Sequence, residues 1–111
     1  MGDSLYLSNQ ADPSILIRVL NESKKKVPIL DVIDHGHTDI AGLTYHDKYL
    51  FMISDSEDLL LKYDLAKKKI VNSVKLPLFA QEGVAFDDEG YIYFANDEGT
   101  VLKYKVEKFG L

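Results

Sequence analysis

Two stretches of this chain, Asp39-Ile-Ala-Gly-Leu-Thr-Tyr-His-Asp47 and Ala80-Gln-Glu-Gly-Val-Ala-Phe-Asp-Asp88, follow one pattern that decides the fold. Gly42 matches Gly83 and Tyr45 matches Phe86, in each case 41 residues later. The match continues from Leu50-Phe-Met-Ile-Ser-Asp-Ser56 to Ile92-Tyr-Phe-Ala-Asn-Asp-Glu98 at 42 residues, and from Leu60-Leu-Lys-Tyr63 to Val101-Leu-Lys-Tyr104 at 41. The chain therefore contains a duplicated unit with a period of roughly 40–45 residues.

Runs of β-branched and aromatic residues, separated by Asp, Asn, Ser and Gly turns, predict an all-β chain. The ten predicted strands lie near residues 4–8, 14–20, 27–33, 40–45, 49–54, 59–65, 69–76, 83–87, 91–95 and 100–106. Tyr49-Leu-Phe-Met-Ile53 and Tyr91-Ile-Tyr-Phe-Ala95 are apolar at consecutive positions, whereas a strand with one solvated face alternates. We therefore expect both strands to be covered on both faces.

Period and strand pattern together predict a β-propeller-type repeat of four-stranded antiparallel blades. About two and a half blades are present in this one module: a partial blade over 1–34, a full blade over 38–77 and a partial blade over 80–107. The first unit is expected to lack its opening strand and the last its closing strand. Closed propellers have roughly 4–8 blades. Two explanations are open: the chain is a fragment of a longer protein, or copies associate to complete a ring.

Gly42 and Gly83 open their units, at the point where neighbouring strands of a propeller crowd near the central axis. We expect that a side chain would not fit there. Asp47 and the run Asp87-Asp-Glu-Gly90 follow the aromatic residue of each unit and predict tight turns.

Composition excludes several classes of function. The formal net charge is −5, from 18 acidic and 13 basic residues, which argues against a nucleic-acid partner. There is no cysteine, so disulfides, thiol catalysis and iron–sulfur clusters are excluded. The N-terminal residues have no signal-peptide pattern, and no apolar run approaches the roughly 20 residues of a membrane span.

The chain resembles the SdiA-regulated family of bacterial proteins in the order of the two segments that begin its matched units. These segments are Asp39-Ile-Ala-Gly42 and, after it, Glu82-Gly-Val-Ala-Phe86. The resemblance covers roughly residues 38–106, most of the chain. The motif Glu82-Gly-Val-Ala-Phe-Asp-Asp-Glu-Gly-Tyr-Ile-Tyr93 is also similar to gluconolactonase-like and NHL-type propellers. The family resemblance implies a β-propeller, often exported or membrane-anchored, and longer than this chain. It implies no established reaction.

Three groups of residues are candidate ligands for a cation. Glu82 precedes the first strand of its unit, where propeller side chains point toward the central channel, and gluconolactonase-like propellers hold a metal there. Asp39 alternates with His35 and His37, a pattern that suits zinc if the segment is extended. The turns Asp55-Ser-Glu-Asp58 and Asn96-Asp-Glu-Gly99 carry the oxygen ligands that calcium prefers, although turn formation alone also explains them.

No nucleophile elbow and no phosphate-binding loop is present, so the sequence predicts no reaction and no catalytic residue. The main hypothesis is a non-catalytic module that binds a small-molecule or protein ligand. The alternative is a metal-dependent hydrolase of the lactonase or esterase kind, with a carboxylate-bound divalent cation (calcium or zinc) in the channel. Self-association that completes the ring is the remaining partner hypothesis.

Overall fold

A computed structural model describes residues 4–9, 15–20, 29–77 and 82–111 of the chain. Ten strands follow one another within these ranges: β1 (Ser4–Ser8), β2 (Leu16–Leu20), β3 (Ile29–Ile33), β4 (Ile40–His46), β5 (Tyr49–Ser54), β6 (Leu59–Asp64), β7 (Lys69–Lys75), β8 (Gly83–Phe86), β9 (Tyr91–Ala95) and β10 (Val101–Lys105). A 3₁₀ helix over Val106–Phe109 follows the last strand. The prediction of an all-β chain is confirmed, and every strand end in the described ranges is within two residues of its predicted place.

The strands form three antiparallel sheets, and none of the sheets built by the described residues closes on itself. Sheet 1 has the order β1-β2-β3, sheet 2 the order β4-β5-β6-β7, and sheet 3 the order β8-β9-β10. In each sheet, strands that follow one another in the sequence therefore pair antiparallel. The counts of three, four and three strands are those expected from the sequence. Some residues of the predicted elements lie outside the described ranges. They are strand residues 14, 27 and 28, and residues 80 and 81 of the partial blade predicted over 80–107.

Turn chemistry sets the register of these hairpins. Asp47 and Lys48 both have positive φ, at 50° and 73°, and join β4 to β5 as a two-residue turn. Positive φ at both central residues is typical of the type I′ turn, whose twist matches that of the strands. In the turn after β8, the Asp87 carboxylate accepts hydrogen bonds from the N–H groups of Glu89 and Tyr91 at 2.9 and 3.0 Å. The tight turns predicted at both places are confirmed.

Sheet 2 lies between the other two sheets, which explains its apolar character on both faces. One core contains Phe51, Ile53 and Leu60 of sheet 2 together with Ile92 and Phe94 of sheet 3. The other core lies between sheets 1 and 2 and is formed by Leu16, Ile40, Leu50, Met52, Leu61 and Tyr63. Residues 50–54 of β5 are all buried, so the prediction that this strand is covered on both faces is confirmed. For Tyr91–Ala95 the same prediction is wrong, because only the alternate residues Ile92 and Phe94 are buried, on the face toward sheet 2.

The first strand of sheet 2 contacts its neighbours on both sides, because β4 lies against β8 and against β1. The closest approach is at Gly42, where an added Cβ atom would lie 3.0 Å from the Glu82 carbonyl oxygen and 3.2 Å from the Gly83 Cα. The expectation of crowding is confirmed at Gly42. At Gly83 it is wrong, since an added Cβ would meet only the Ala95 Cβ at 3.5 Å, an ordinary contact. In the described part of the chain, no helix is long and apolar enough to cross a membrane.

Candidate functional site

The first strands of sheets 2 and 3 each begin beside the end of their second strand. The Asp55 N–H donates to the Asp39 carbonyl oxygen at 3.0 Å, and the Glu82 N–H donates to the Ala95 carbonyl oxygen at 3.0 Å. Asp97 lies two residues beyond Ala95, in the turn between β9 and β10. Each of the two sheets therefore carries a pair of carboxylates at the same end.

Because β4 lies against β8, the two pairs are near enough for their charges to interact. We call Asp39, Asp55, Glu82 and Asp97 the carboxylate cluster. Partial burial raises the pKa of Glu82, and the negative charges of the three aspartates raise it further. Burial likewise raises the pKa of Asp55, followed by repulsion from Asp39, Asp97 and, outside the cluster, Asp58. The neighbouring negative charges thus disfavour the ionised forms of Glu82 and Asp55, which is the electrostatic condition that a bound cation relieves.

The two predicted metal-site carboxylates, Glu82 and Asp39, both belong to this cluster. The Asp39 backbone has a positive φ of 54°, and its carboxylate accepts a hydrogen bond from the Ser56 N–H at 3.1 Å. Asp55 and Asp97 were assigned to two separate turns by the sequence. The sequence did contain a signal that Asp55 lies near Asp39 and Asp97 near Glu82, since the end of the second strand of an antiparallel hairpin lies beside the start of the first.

The two histidines predicted as ligands lie on the segment that links sheets 1 and 2. The rings of His35 and His37 are stacked, with centroids 6.1 Å apart. His37 Nδ1 pairs with the Glu57 carboxylate at 2.6 Å, and His35 Nδ1 accepts a hydrogen bond from the His37 N–H at 3.2 Å. Burial, followed by the neighbouring His37, lowers the pKa of His35. His35 Nε2 is buried with no hydrogen-bond partner among the described residues.

Glu57 ties this segment to the turn between β5 and β6, a role that the sequence did not reveal. Its carboxylate accepts a hydrogen bond from the Thr38 N–H at 3.1 Å as well as pairing with His37. Partial burial acts to raise the pKa of Glu57, but the hydrogen bonds from His37 and Thr38 outweigh burial and lower it. Glu57 therefore stabilises the connection between sheets 1 and 2 in its ionised form.

We expect Glu57→Gln to lower the free energy of unfolding by about 1 kcal/mol at neutral pH, because the amide loses the charge-assisted bond to His37. A carboxylate whose pKa is lowered on folding contributes stability above its ordinary pKa of 4.5 and loses it as pH falls through the lowered value. The difference between wild type and Glu57→Gln should therefore vanish in acid. Urea unfolding across a pH series measures it.

Glu98, which is exposed in the turn after β9, supplies the control. Glu98→Gln should leave stability unchanged at every pH. A Glu57→Gln effect that persists undiminished in acid would contradict a role for the ionised carboxylate. His35 also makes the protein less stable as pH falls, but at a higher pH than Glu57 does. Because its pKa is lowered on folding, wild-type stability is complete above its ordinary pKa of 6.5 and declines as pH falls through the lowered value.

The acidic turns after β5 and β9 have turn hydrogen bonds of their own. The Asn96 side-chain oxygen accepts from the Glu98 N–H at 3.1 Å and from the Thr100 N–H at 3.0 Å. The Asp58 N–H donates to the Asp55 carbonyl oxygen at 3.3 Å. Across the described ranges, no group of three or more His, Asp or Glu side chains has a geometry that could hold a metal ion. The calcium and zinc sites stay predictions.

A depression of the surface lies away from the carboxylate cluster. It has a volume of about 510 Å³ and is lined by Glu89, Tyr91, Lys105 and Glu107 among others. Glu89 belongs to the turn between β8 and β9, at the end of sheet 3 opposite Glu82. The depression and the carboxylate cluster are therefore separate features.

Comparison with known proteins identifies the fold alone. No protein-family model and no curated protein matches the chain. Among solved structures, the chain is similar to a functionally unknown protein from Desulfotomaculum acetoxidans, with a TM-score of 0.62 and 11% sequence identity. The similarity covers 93% of this chain and 38% of that protein. The chain thus spans well under half the length of the structure it matches, and that structure has no known function to carry over.

Proposed function

We propose that this chain is a β-propeller-type module of the SdiA-regulated kind, and that it binds a ligand without catalysing a reaction. Its ligand surface is the carboxylate cluster, and the ligand carries a positive charge. The observation that carries this proposal is that β4 lies against β8 and that Glu82 and Asp55, from two adjacent sheets, are both repelled by Asp39 and Asp97.

Two features support the propeller arrangement within this proposal. The three antiparallel sheets are stacked face to face in chain order, with an apolar core between each pair. The first strands of sheets 2 and 3 lie side by side, and the carboxylate cluster is at the end where these strands begin. In a propeller, the start of the first strands is the mouth of the central channel, where ligands reach side chains from several blades.

We expect Glu82→Gln to weaken binding of a cationic ligand by about 10-fold or more, because the amide cannot form the charge-assisted contact. The same change should raise the melting temperature of the free protein, since it removes one of the mutually repelling charges. Isothermal titration calorimetry with calcium, zinc, manganese and spermidine tests the first effect, and thermal unfolding tests the second.

Glu89→Gln is the matched control, since Glu89 is an exposed glutamate at the other end of the same sheet. It should change neither binding nor melting temperature. Equal affinity in wild type and Glu82→Gln, or absence of binding by all four cations, would argue against the carboxylate cluster as a cation-binding surface. A rise in melting temperature alone would then show only that the carboxylates repel one another.

A metal-dependent hydrolase of the lactonase or esterase kind is the second candidate. The observation that favours it is that Glu82 and Asp39, the predicted metal ligands, lie in one cluster and that the pKa of Glu82 is raised. Hydrolysis of a panel of lactones and aryl esters, measured with and without added calcium or zinc, tests it. Metal-dependent turnover that Glu82→Gln abolishes and Glu89→Gln preserves would support it. Turnover that survives Glu82→Gln would refute a role for this carboxylate.

A further inference from the structure

Sheet 3 has one face in the core and a second face that no described residue covers. The second face presents Gly83, Ala85 and Ala95, whose small side chains leave a shallow depression of about 330 Å³ between Tyr93 and Val101. Val101 is 65% exposed, the largest exposure among the large apolar residues of the described ranges. We call Gly83, Ala85, Tyr93, Ala95 and Val101 the third-sheet face.

The third-sheet face corresponds in sequence to a surface that is already covered. Tyr93, Ala95 and Val101 match Phe51, Ile53 and Leu60, the residues by which sheet 2 contacts sheet 3. A cation–π contact at the edge of each surface is also shared. The Lys62 ammonium lies 4.2 Å from the Tyr49 ring centroid in sheet 2, and the Lys103 ammonium lies 4.2 Å from the Tyr91 centroid in sheet 3. The third-sheet face therefore has the composition of a surface on which another sheet packs.

The opposite end of the molecule carries a complementary apolar surface. Tyr6 and Leu16 of sheet 1 pack toward sheet 2, so the alternate residues of β1 point to the other side. Leu5 and Leu7 are 44% and 51% exposed there. Leu7 of β1 pairs with Ile17 of β2, and Ile17 pairs with Val32 of β3. The Val32 side chain is 60% exposed. We call Leu5, Leu7, Ile17 and Val32 the first-sheet face.

We propose that the third-sheet face of one copy docks on the first-sheet face of a second copy of this chain, head to tail. Within one chain, sheet 2 packs on sheet 1 and sheet 3 packs on sheet 2. The intermolecular contact continues this order, because sheet 1 of the second copy takes the next position after sheet 3. One face has exposed leucine side chains, and the other has a depression lined by glycine and alanine that can receive them.

The two faces are different surfaces, so the contact is heterologous, and each copy has one face of each kind. This inference concerns assembly and goes beyond the proposed ligand binding at the carboxylate cluster. It also accounts for exposed Leu and Val at both ends of the stack, since paired copies remove them from water.

Light scattering coupled to size-exclusion chromatography tests the proposal with two single variants. Val101→Glu should disable the third-sheet face and Leu7→Glu the first-sheet face, each weakening self-association by about 100-fold, because a carboxylate would be buried without a partner. An equimolar mixture of the two variants should form a complex of twice the chain mass. The Leu7→Glu copy still offers its third-sheet face, and the Val101→Glu copy still offers its first-sheet face.

Val71→Glu is the control, because Val71 is 40% exposed on β7 and belongs to neither face. It should associate like wild type. Circular dichroism confirms that each variant is folded, and Val32→Glu replaces Leu7→Glu if the latter is unfolded. Monomeric wild type across the concentration series would overturn the proposal. So would a mixture of the two variants that stays monomeric, or a Val101→Glu protein that associates as wild type does.

Discussion

Replacing Phe94 by alanine is expected to cost about 3–5 kcal/mol of unfolding free energy, as large buried aromatic residues do when truncated. Phe94 is fully buried between sheets 2 and 3. Its ring lies 6.2 Å from that of Tyr104 and 5.7 Å from that of Phe109, so it also holds the C-terminal 3₁₀ helix against sheet 3. Domains of this size have total stabilities of about 5–15 kcal/mol. The loss is therefore a large share of the total.

Urea denaturation followed by tyrosine fluorescence measures this loss. Phe94→Leu, which keeps most of the buried volume, should cost about 1.5 kcal/mol or less. Tyr45→Ala removes an aromatic ring that is 41% exposed, and should cost less than about 1 kcal/mol. Similar losses for Phe94→Ala and Tyr45→Ala would mean that the interface between sheets 2 and 3 is not a packed core.

Replacing Gly42 by alanine is expected to destabilise the protein by about 1–3 kcal/mol, the cost of overpacking a close contact. The new methyl group would lie 3.0 Å from the Glu82 carbonyl oxygen and 3.2 Å from the Gly83 Cα. Both atoms belong to the backbone of sheet 3, so neither can rotate away. The sheets must separate at this point, and Glu82 moves with them. We therefore also expect weaker cation binding at the carboxylate cluster.

Gly83→Ala tests whether the effect comes from the close approach of the sheets or from glycine itself. At Gly83 the added methyl group meets the Ala95 Cβ at 3.5 Å, an ordinary contact. We expect no loss of stability there, since alanine also restricts the unfolded chain. Equal destabilisation by both substitutions, measured by urea denaturation, would contradict the asymmetry between these two matched glycines.

The strand content of this protein was predictable because strand-forming residues and turn residues alternate clearly along the chain. Asp47, Asp87 and Asn96 mark turns through chemistry that acts within a few residues, and such signals need no tertiary information. The coverage of β5 on both faces was also predictable, since Leu50 to Ile53 are apolar at consecutive positions.

The candidate site was predictable only in part. Glu82 and Asp39 were identified by their positions before first strands, and each lies beside the end of its own hairpin, where Asp97 or Asp55 follows. The approach of the two pairs to each other depends on the contact between β4 and β8. Such a contact joins residues about forty positions apart, and no local pattern encodes its distance. The same reason explains why the pairing of Glu57 with His37, across 20 residues, was not predicted.

By itself, the sequence determined the ten strands of the described ranges and their division into groups of three, four and three, because these follow from side-chain periodicity and turn chemistry. Only the tertiary structure decided that Gly42 is crowded and Gly83 is not, that four carboxylates converge, and that opposite ends of the stack expose apolar faces. Gly42 and Gly83 share a local pattern, but their neighbours differ. The described residues cover sheet 2 on both faces and sheet 3 on one.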